Sequence, residues 1–377
     1  MKFNKFSLLL LFVILFVLDK LILIPPVKNL LTDEVVGNPY IETLNNASGK
    51  YMEDAKYQDK KKIWAFGTSR SFGFYQFSTP IYNRNSSYIS ESQKKTLDAY
   101  KIFAFAAPGS NPLIYYTRFN QLLDQNLKPD IVFLELSAFS FNKNNRFYNI
   151  ILLEGMPLDF AIKYFNELPS NFAKEYFFSR LFSLSRYKLS SKAVSTHLFG
   201  SKDKNTELLK SFISSNAMTG DPFANLFETK EIKEEVEYSP DKFNDFQGKP
   251  ATETDTYLKT IMMVDVLKKE FYGNFTHNKD NYEFLKQILV RCKKRNIPVV
   301  LWVPKVHKNL ADYYESASFY PQWKSKIMEV AAETNSTFLD LNEPTKVRCD
   351  YFQDAAHHSG RCLPEVTTLL LESLNKK

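Results

Sequence analysis

Apolar residues gather along this chain into short unbroken runs, each closed by a glycine, a proline or a polar turn. Ile63-Trp64-Ala65-Phe66 ends at Gly67, and Lys101 to Ala107 repeats the arrangement up to Pro108-Gly109. Asp130 to Leu136 follows the breaker Lys128-Pro129, Ile297 to Val303 stops at Pro304, and Thr337 to Leu341 completes the series. Runs of this length between turn residues are how strands buried on both faces read. Helical spacing fills the stretches between and after them, over residues 113–125, 281–295, 321–334 and 363–375. Strand, helix, strand in that order predicts an α/β fold: a three-layer parallel sheet with helices on both faces.

Two parts of the chain fall outside that pattern. From about Phe141 to Tyr272 the residues are rich in Phe, Ser, Asn and Lys without clear alternation, so residues 141–280 read as a helical insertion or cap between core parts 61–140 and 281–377. Its most polar part, 201–255, reads as a mobile loop. At the amino terminus, Lys2 and Lys5 precede an apolar run from Leu8 to Leu18, which resumes through Leu21 to Ile24 and ends at Pro25-Pro26. Residues 6–24 come close to the length that crosses about 30 Å of hydrocarbon as a helix. Residues 1–26 therefore read as an N-terminal transmembrane helix or signal segment, followed by a polar stalk over 27–60. The run lacks a small-x-small cleavage site, which favours an uncleaved anchor, and the leading lysines place the remainder outside, in the periplasm or extracellular space.

Composition narrows the classes. With 44% hydrophobic and 24% charged residues the chain can bury a core, and the 33 Phe and 21 Tyr against 11 Gly belong mostly to that core. A net charge of +7 without an Arg-rich stripe gives no case for nucleic-acid binding. His197, His277 and His307 lack metal-ligand spacing, so no metal and no cofactor is expected. Cys349 and Cys362 bracket residues 354–358 and can close a loop there in an oxidising compartment, leaving Cys292 single.

Ligands of parallel sheets lie beyond the carboxyl ends of the strands. The residues just past the runs are Gly67-Thr68-Ser69-Arg70-Ser71, Ala107-Pro108-Gly109-Ser110-Asn111 and Glu135-Leu136-Ser137, with Asp354-Ala355-Ala356-His357 after the last one. Gly67-Thr68-Ser69 resembles the Gly-Asp-Ser nucleophile block of SGNH (GDSL-type) hydrolases and acyltransferases. Asp354-Ala355-Ala356-His357 is similar to their closing Asp-x-x-His block, and Gly109 falls where their second block has a glycine. The resemblance covers residues 61–140 and 280–377 and not the insertion. It implies a triad of Ser69, His357 and Asp354, with oxyanion donors at the backbone amides of Ser69 and Gly109. Thr68 replaces the block's aspartate. Glu135-Leu136-Ser137-Ala138 stands where the family has Gly-x-Asn-Asp, with Ser137 as the substitute donor. Those departures are similar to the membrane-anchored branch that contains the D-alanyl transfer protein and the alginate O-acetyltransferases. That branch implies acyl transfer or hydrolysis on an envelope glycan or other acylated polymer, and a membrane partner that delivers the acyl group.

Other readings of the same residues stay open. Gly67-Thr68-Ser69 also fits a turn with a helix cap, and His358 stands beside His357 as a second candidate base. Arg70 and Asn111 are candidate substrate contacts, although Arg70 equally fits a surface salt bridge. An inactive envelope binding protein that keeps the fold is the competing function, and a structural protein whose insertion binds a partner is a third.

Overall fold

The computed structural model describes residues 5–31, 58–71, 74, 88–107, 109–145, 155–187, 189, 191, 194–195, 264–350, 352, 355–358 and 362–375. The stalk over 32–57, the polar stretch 201–255, Asp354 and His197 lie outside them. The chain divides into two compact units. One comprises residues 39–146 and 220–377, and the other residues 1–38 and 147–219.

The first unit is built on a five-stranded sheet, all parallel, of β1 (Lys61–Gly67), β2 (Tyr100–Ala106), β3 (Ile131–Glu135), β4 (Val299–Val303) and β5 (Thr337–Asp340), in the order β2-β1-β3-β4-β5. In β3 and β4 every residue is buried. Continuous apolar strands form here because helices cover both faces and no position needs to meet water.

Within the second unit α1 (Lys5–Leu21) and α2 (Pro25–Leu31) precede the sheet in sequence. The crossovers and closing segment of the first unit supply α3 (Glu91–Asp98), α4 (Pro112–Asp124), α8 (Lys279–Lys294), α9 (Lys308–Ser316), α10 (Phe319–Thr334) and α11 (Leu363–Leu374). The insertion supplies α5 (Leu158–Lys163), α6 (Ser170–Leu181) and α7 (Ser183–Arg186).

The strand order reverses direction after β2. With right-handed crossovers, the β1-to-β2 helix α3 lies on one face while α4, α8 and α10 lie on the other. Packing agrees: α4 lies on α8, α8 on α10, and α11 on α3. Trp64 and Phe66 of β1 meet Phe119 of α4 edge to face, at 5.9 and 6.2 Å between ring centres. On the opposite side Phe74 fills the space between Phe133 of β3 and Trp302 of β4. Among the described residues these rings belong to the core.

Helix starts follow local chemistry. Ser90 caps α3 in a reciprocal box with Gln93, and Asn278 accepts from the amides of Asp280 and Asn281 at the start of α8. Asn335, in the left-handed conformation, ends α10.

The amino terminus differs from the expected single span. The apolar helix stops at Leu21, and the chain turns through Ile22 and Leu23 before α2 begins. At 17 residues α1 is about 26 Å long. Among the described residues no helix is long and apolar enough to cross a membrane. Near the helix end Asp19 turns inward to accept hydrogen bonds from the amides of Ser183 and Leu184, each 2.7 Å away, at the start of α7. The segment expected to be an independent anchor is therefore folded together with the insertion.

Candidate active site

In the order β2-β1-β3 the connections that leave β1 and β3 run toward opposite faces, which makes their carboxyl ends the switch point of the sheet. Ser69 stands two residues past the end of β1, in a short 3-10 turn over Ser69–Ser71. Its Oγ lies 2.7 Å from Nε2 of His357, 288 positions later in the chain. His357 is buried and Ser69 is half-buried. An alcohol and an imidazole at this separation can share a proton, which is the first requirement for an activated serine.

Burial and bonding of the serine turn centre on Glu135, the last residue of β3. Its carboxylate is fully buried and accepts from the Thr68 amide at 2.8 Å, the Thr68 hydroxyl at 2.6 Å, the Ser71 hydroxyl at 2.6 Å and the Ser137 hydroxyl at 2.8 Å. The turn can close this tightly because Gly67 has no side chain: a Cβ there would sit 2.0 Å from Ser71 Oγ and 2.6 Å from Glu135 Oε2. Glu135 was legible only as an occupant of the third block. A carboxylate at the very end of an otherwise apolar strand was the available signal for its structural use.

Arg70 is buried, in contrast to the surface salt bridge considered for it. It donates to Ser137 Oγ at 3.1 Å and to the Tyr314 hydroxyl at 3.5 Å, and its guanidinium lies over the Phe139 ring. Burial works against its charge, but Tyr314, Tyr272 and Glu135 around it more than offset this and hold the guanidinium firmly protonated. Tyr272 and Tyr314 share a 2.6 Å hydrogen bond, and burial raises the Tyr272 phenol well above its ordinary range. Neither tyrosine was singled out from the sequence, since Tyr272 lies within the insertion and Tyr314 within α9.

Ser137 is engaged differently from the oxyanion donor expected of it. A hydroxyl has one hydrogen, and that of Ser137 goes to Glu135 while its oxygen accepts from Arg70. Gly109 adopts φ 72°, in the tight turn where the Ser110 amide bonds back to Ala107, leading β2 into α4. Asn111 is the N-cap of α4, its side chain accepting from the Ile114 amide.

The His357 loop is closed on itself. Cys349 and Cys362 are joined by a disulfide with a Cα separation of 5.4 Å. Glu365 of α11 accepts from the amides of Arg348 and Cys349, and the His307 amide donates to Ala355. His358 faces away from the serine: its Nε2 donates to the Cys349 carbonyl at 2.9 Å, and burial pushes its pKa down to about 4. That leaves His357 as the imidazole paired with Ser69. Asp354, the assigned third member, lies outside the described residues.

The remaining candidates have local uses. His307 caps α9, and His277 bonds the Tyr282 hydroxyl. Cys292 is buried and free, its thiol pushed up to about 12 by burial. Among the described residues one group could in principle hold a metal, Cys349, His358 and Cys362, with ligand atoms within 4.8 Å of one another. Both its sulfurs are consumed by the disulfide, so it carries no metal assignment.

No curated protein matches the chain. A family model does, over residues 6–374, and it spans both the sheet that positions Ser69 and His357 and the insertion with its N-terminal helix. The chain therefore belongs to the family described as Protein of unknown function (DUF1574).

Proposed function

We propose that this protein is an SGNH-like serine esterase or O-acyltransferase acting on an acylated polymer of the cell envelope. The observation that carries the reading is the 2.7 Å contact between Ser69 Oγ and His357 Nε2 at the switch point of the sheet. In this mechanism His357 takes the Ser69 proton as Oγ attacks the acyl carbonyl, and the resulting imidazolium returns that proton to the departing alcohol. Water or a sugar hydroxyl then releases the acyl group from Ser69, with His357 acting as base again. The amides of Ser69 and Gly109 serve the developing oxyanion, and Asp354 orients the imidazole from its other nitrogen. Glu135 and Arg70 do not react. They hold the turn that presents Ser69.

The apolar helix α1 supports a membrane-attached form with its globular part outside. Leu8 to Leu15, Val17 and Leu18 are all exposed, and a helix apolar all round requires a core or a lipid environment. In the same proposal a membrane protein supplies the acyl group. Resistance to alkaline extraction from membranes, lost when residues 1–24 are deleted, tests the attachment.

A competing reading, an inactive binding protein on the same fold, has one observation in its favour: the Ser137 hydroxyl is committed to Glu135, so Ser137 does not replace the donor of the missing third block. A serine-directed fluorophosphonate decides between them. Labelling at Ser69 that disappears in Ser69→Ala, together with loss of ester-probe turnover, is the expected result. An unlabelled wild-type protein would establish the inactive reading.

A further inference from the structure

Helices of the insertion are built with part of their apolar surface turned outward. In α5 and the turn after it, Leu158, Ile162 and Phe165 follow i, i+4, i+7 spacing, and they are 45, 61 and 54% exposed, while Phe160, Ala161 and Tyr164 on the other side are buried. The end of α6 and the start of α7 repeat this with Phe178, Leu181 and Leu184, against buried Phe172, Tyr176 and Ser179. A stripe at helical spacing that faces away from the protein needs a covering.

The covering is indicated by what these helices hold. Asp19, 4% exposed, caps the first amides of α7, and the Lys20 ammonium reaches the Leu181 carbonyl, while Phe16 meets Phe182 edge to face at 6.2 Å. Phe182 packs on Phe178 with tilted rings 4.5 Å apart, and Phe177 meets Phe165 at 5.7 Å, so ring contacts link α1 to α6 and α6 to the turn after α5. The distance along α1 from Phe16 to Lys20 is about 6 Å. These contacts to α6 and α7 therefore fall between Phe16 and Lys20, where the apolar run of α1 ends. Basic side chains border them: Lys20 over the Phe16 ring, Lys28 over the Tyr187 ring and Lys163 over the Tyr164 ring. Apolar faces accompanied by lysine stems match the boundary between acyl chains and anionic headgroups, into which such helices sink by about 5–10 Å.

We infer that helices α5 to α7 form a membrane-interface platform with α1, lying in the headgroup region of an anionic bilayer through Leu158, Ile162, Phe165, Phe178, Leu181 and Leu184. The inference rests on the proposed membrane attachment of α1 and extends it. A short apolar helix clasped by an interfacial platform is held at a defined depth without itself having to span the bilayer.

The test uses the full-length protein reconstituted in vesicles of phosphatidylethanolamine and phosphatidylglycerol. An environment-sensitive fluorophore is placed singly by Leu15→Cys, Phe165→Cys, Phe178→Cys, Leu184→Cys and, as control on an exposed residue of α10, Met328→Cys. The expected result is blue-shifted emission and quenching by doxyl-labelled lipid at positions 165, 178 and 184 comparable to that at 15, with none at 328. Quenching at 15 but not at the other three would overturn the platform while leaving α1 in the membrane. Absence of quenching at all four would overturn both readings. Self-quenching at 165 and 178 that grows with protein density, without quenching by lipid, would show a second copy of the chain covering this face and would also overturn the platform.

Discussion

Ser69 is presented by residues that do not react, and the most informative of them is Glu135. Replacing Glu135 with Gln sets an amide NH2 where only acceptors fit, against the amide of Thr68 and the hydroxyls of Thr68, Ser71 and Ser137. A buried mismatch of this kind costs roughly 1–3 kcal/mol. Glu135→Gln should therefore lower the unfolding midpoint and slow fluorophosphonate labelling of Ser69 together. Ser69→Ala, which removes only the proposed nucleophile, should leave the midpoint close to wild type while abolishing labelling. Gly67→Ala acts on the same turn through volume, because its Cβ would overlap Ser71 and Glu135. A loss of about 1–3 kcal/mol, read by urea unfolding, is expected.

His358 adds a pH dependence at the same scale. Its pKa falls from 6.5 to about 4 on burial, so between those values the unfolded chain binds a proton that the folded protein refuses. The stability associated with the neutral ring is complete above pH 6.5 and is lost as the pH falls toward 4, by at most about 3 kcal/mol. Unfolding midpoints measured across that window should decline on acidification, and His358→Gln should flatten the decline.

At the scale of elements, the described residues around His357 lie between β5 and α11 and are held by the disulfide and by Glu365 of α11. A cross-link between residues 13 positions apart restricts the unfolded chain by roughly 3 kcal/mol. Cys349→Ser with Cys362→Ser should cost about that much in stability, and it should reduce Ser69 labelling more than the remaining folded fraction explains, because the loop that presents His357 is then open. Unfolding curves and labelling rates measured on the same sample check this. The strands needed no such support to be recognised. Each was legible as an apolar run because burial on both faces leaves no polar positions, and their ends matched the observed β1 to β5 within a few residues. At the amino terminus the apolar run continues through Leu21 to Ile24, whereas α1 closes at Leu21 and Asp19 accepts from two backbone amides 164 and 165 positions away. Sequence periodicity carries no information about partners so distant.

At the scale of the molecule, the chain folds as two units interleaved in sequence, with α1 and the insertion forming one and the sheet the other. Asp19→Ala removes the cap of α7 and should speed hydrogen exchange at the Ser183 and Leu184 amides while fluorophosphonate labelling of Ser69 keeps its wild-type rate. A fall in labelling would mean that the two units depend on each other for activity. From sequence the insertion was recognisable as a departure from the strand pattern, but its pairing with the amino terminus was not.

The sequence by itself determined the parallel α/β class and the strand ends, because hydrophobic period and turn residues act over a few neighbouring positions, while Ser69 and His357 were candidates through the resemblance to SGNH hydrolases. Tertiary structure alone decided that Glu135 and Arg70 support the serine turn, that His358 faces away from it, and that Asp19 binds the apolar helix to the insertion. Each of those depends on charges and hydrogen-bond donors brought together from distant parts of the chain, where burial makes every unpaired polar group costly and so dictates its partner.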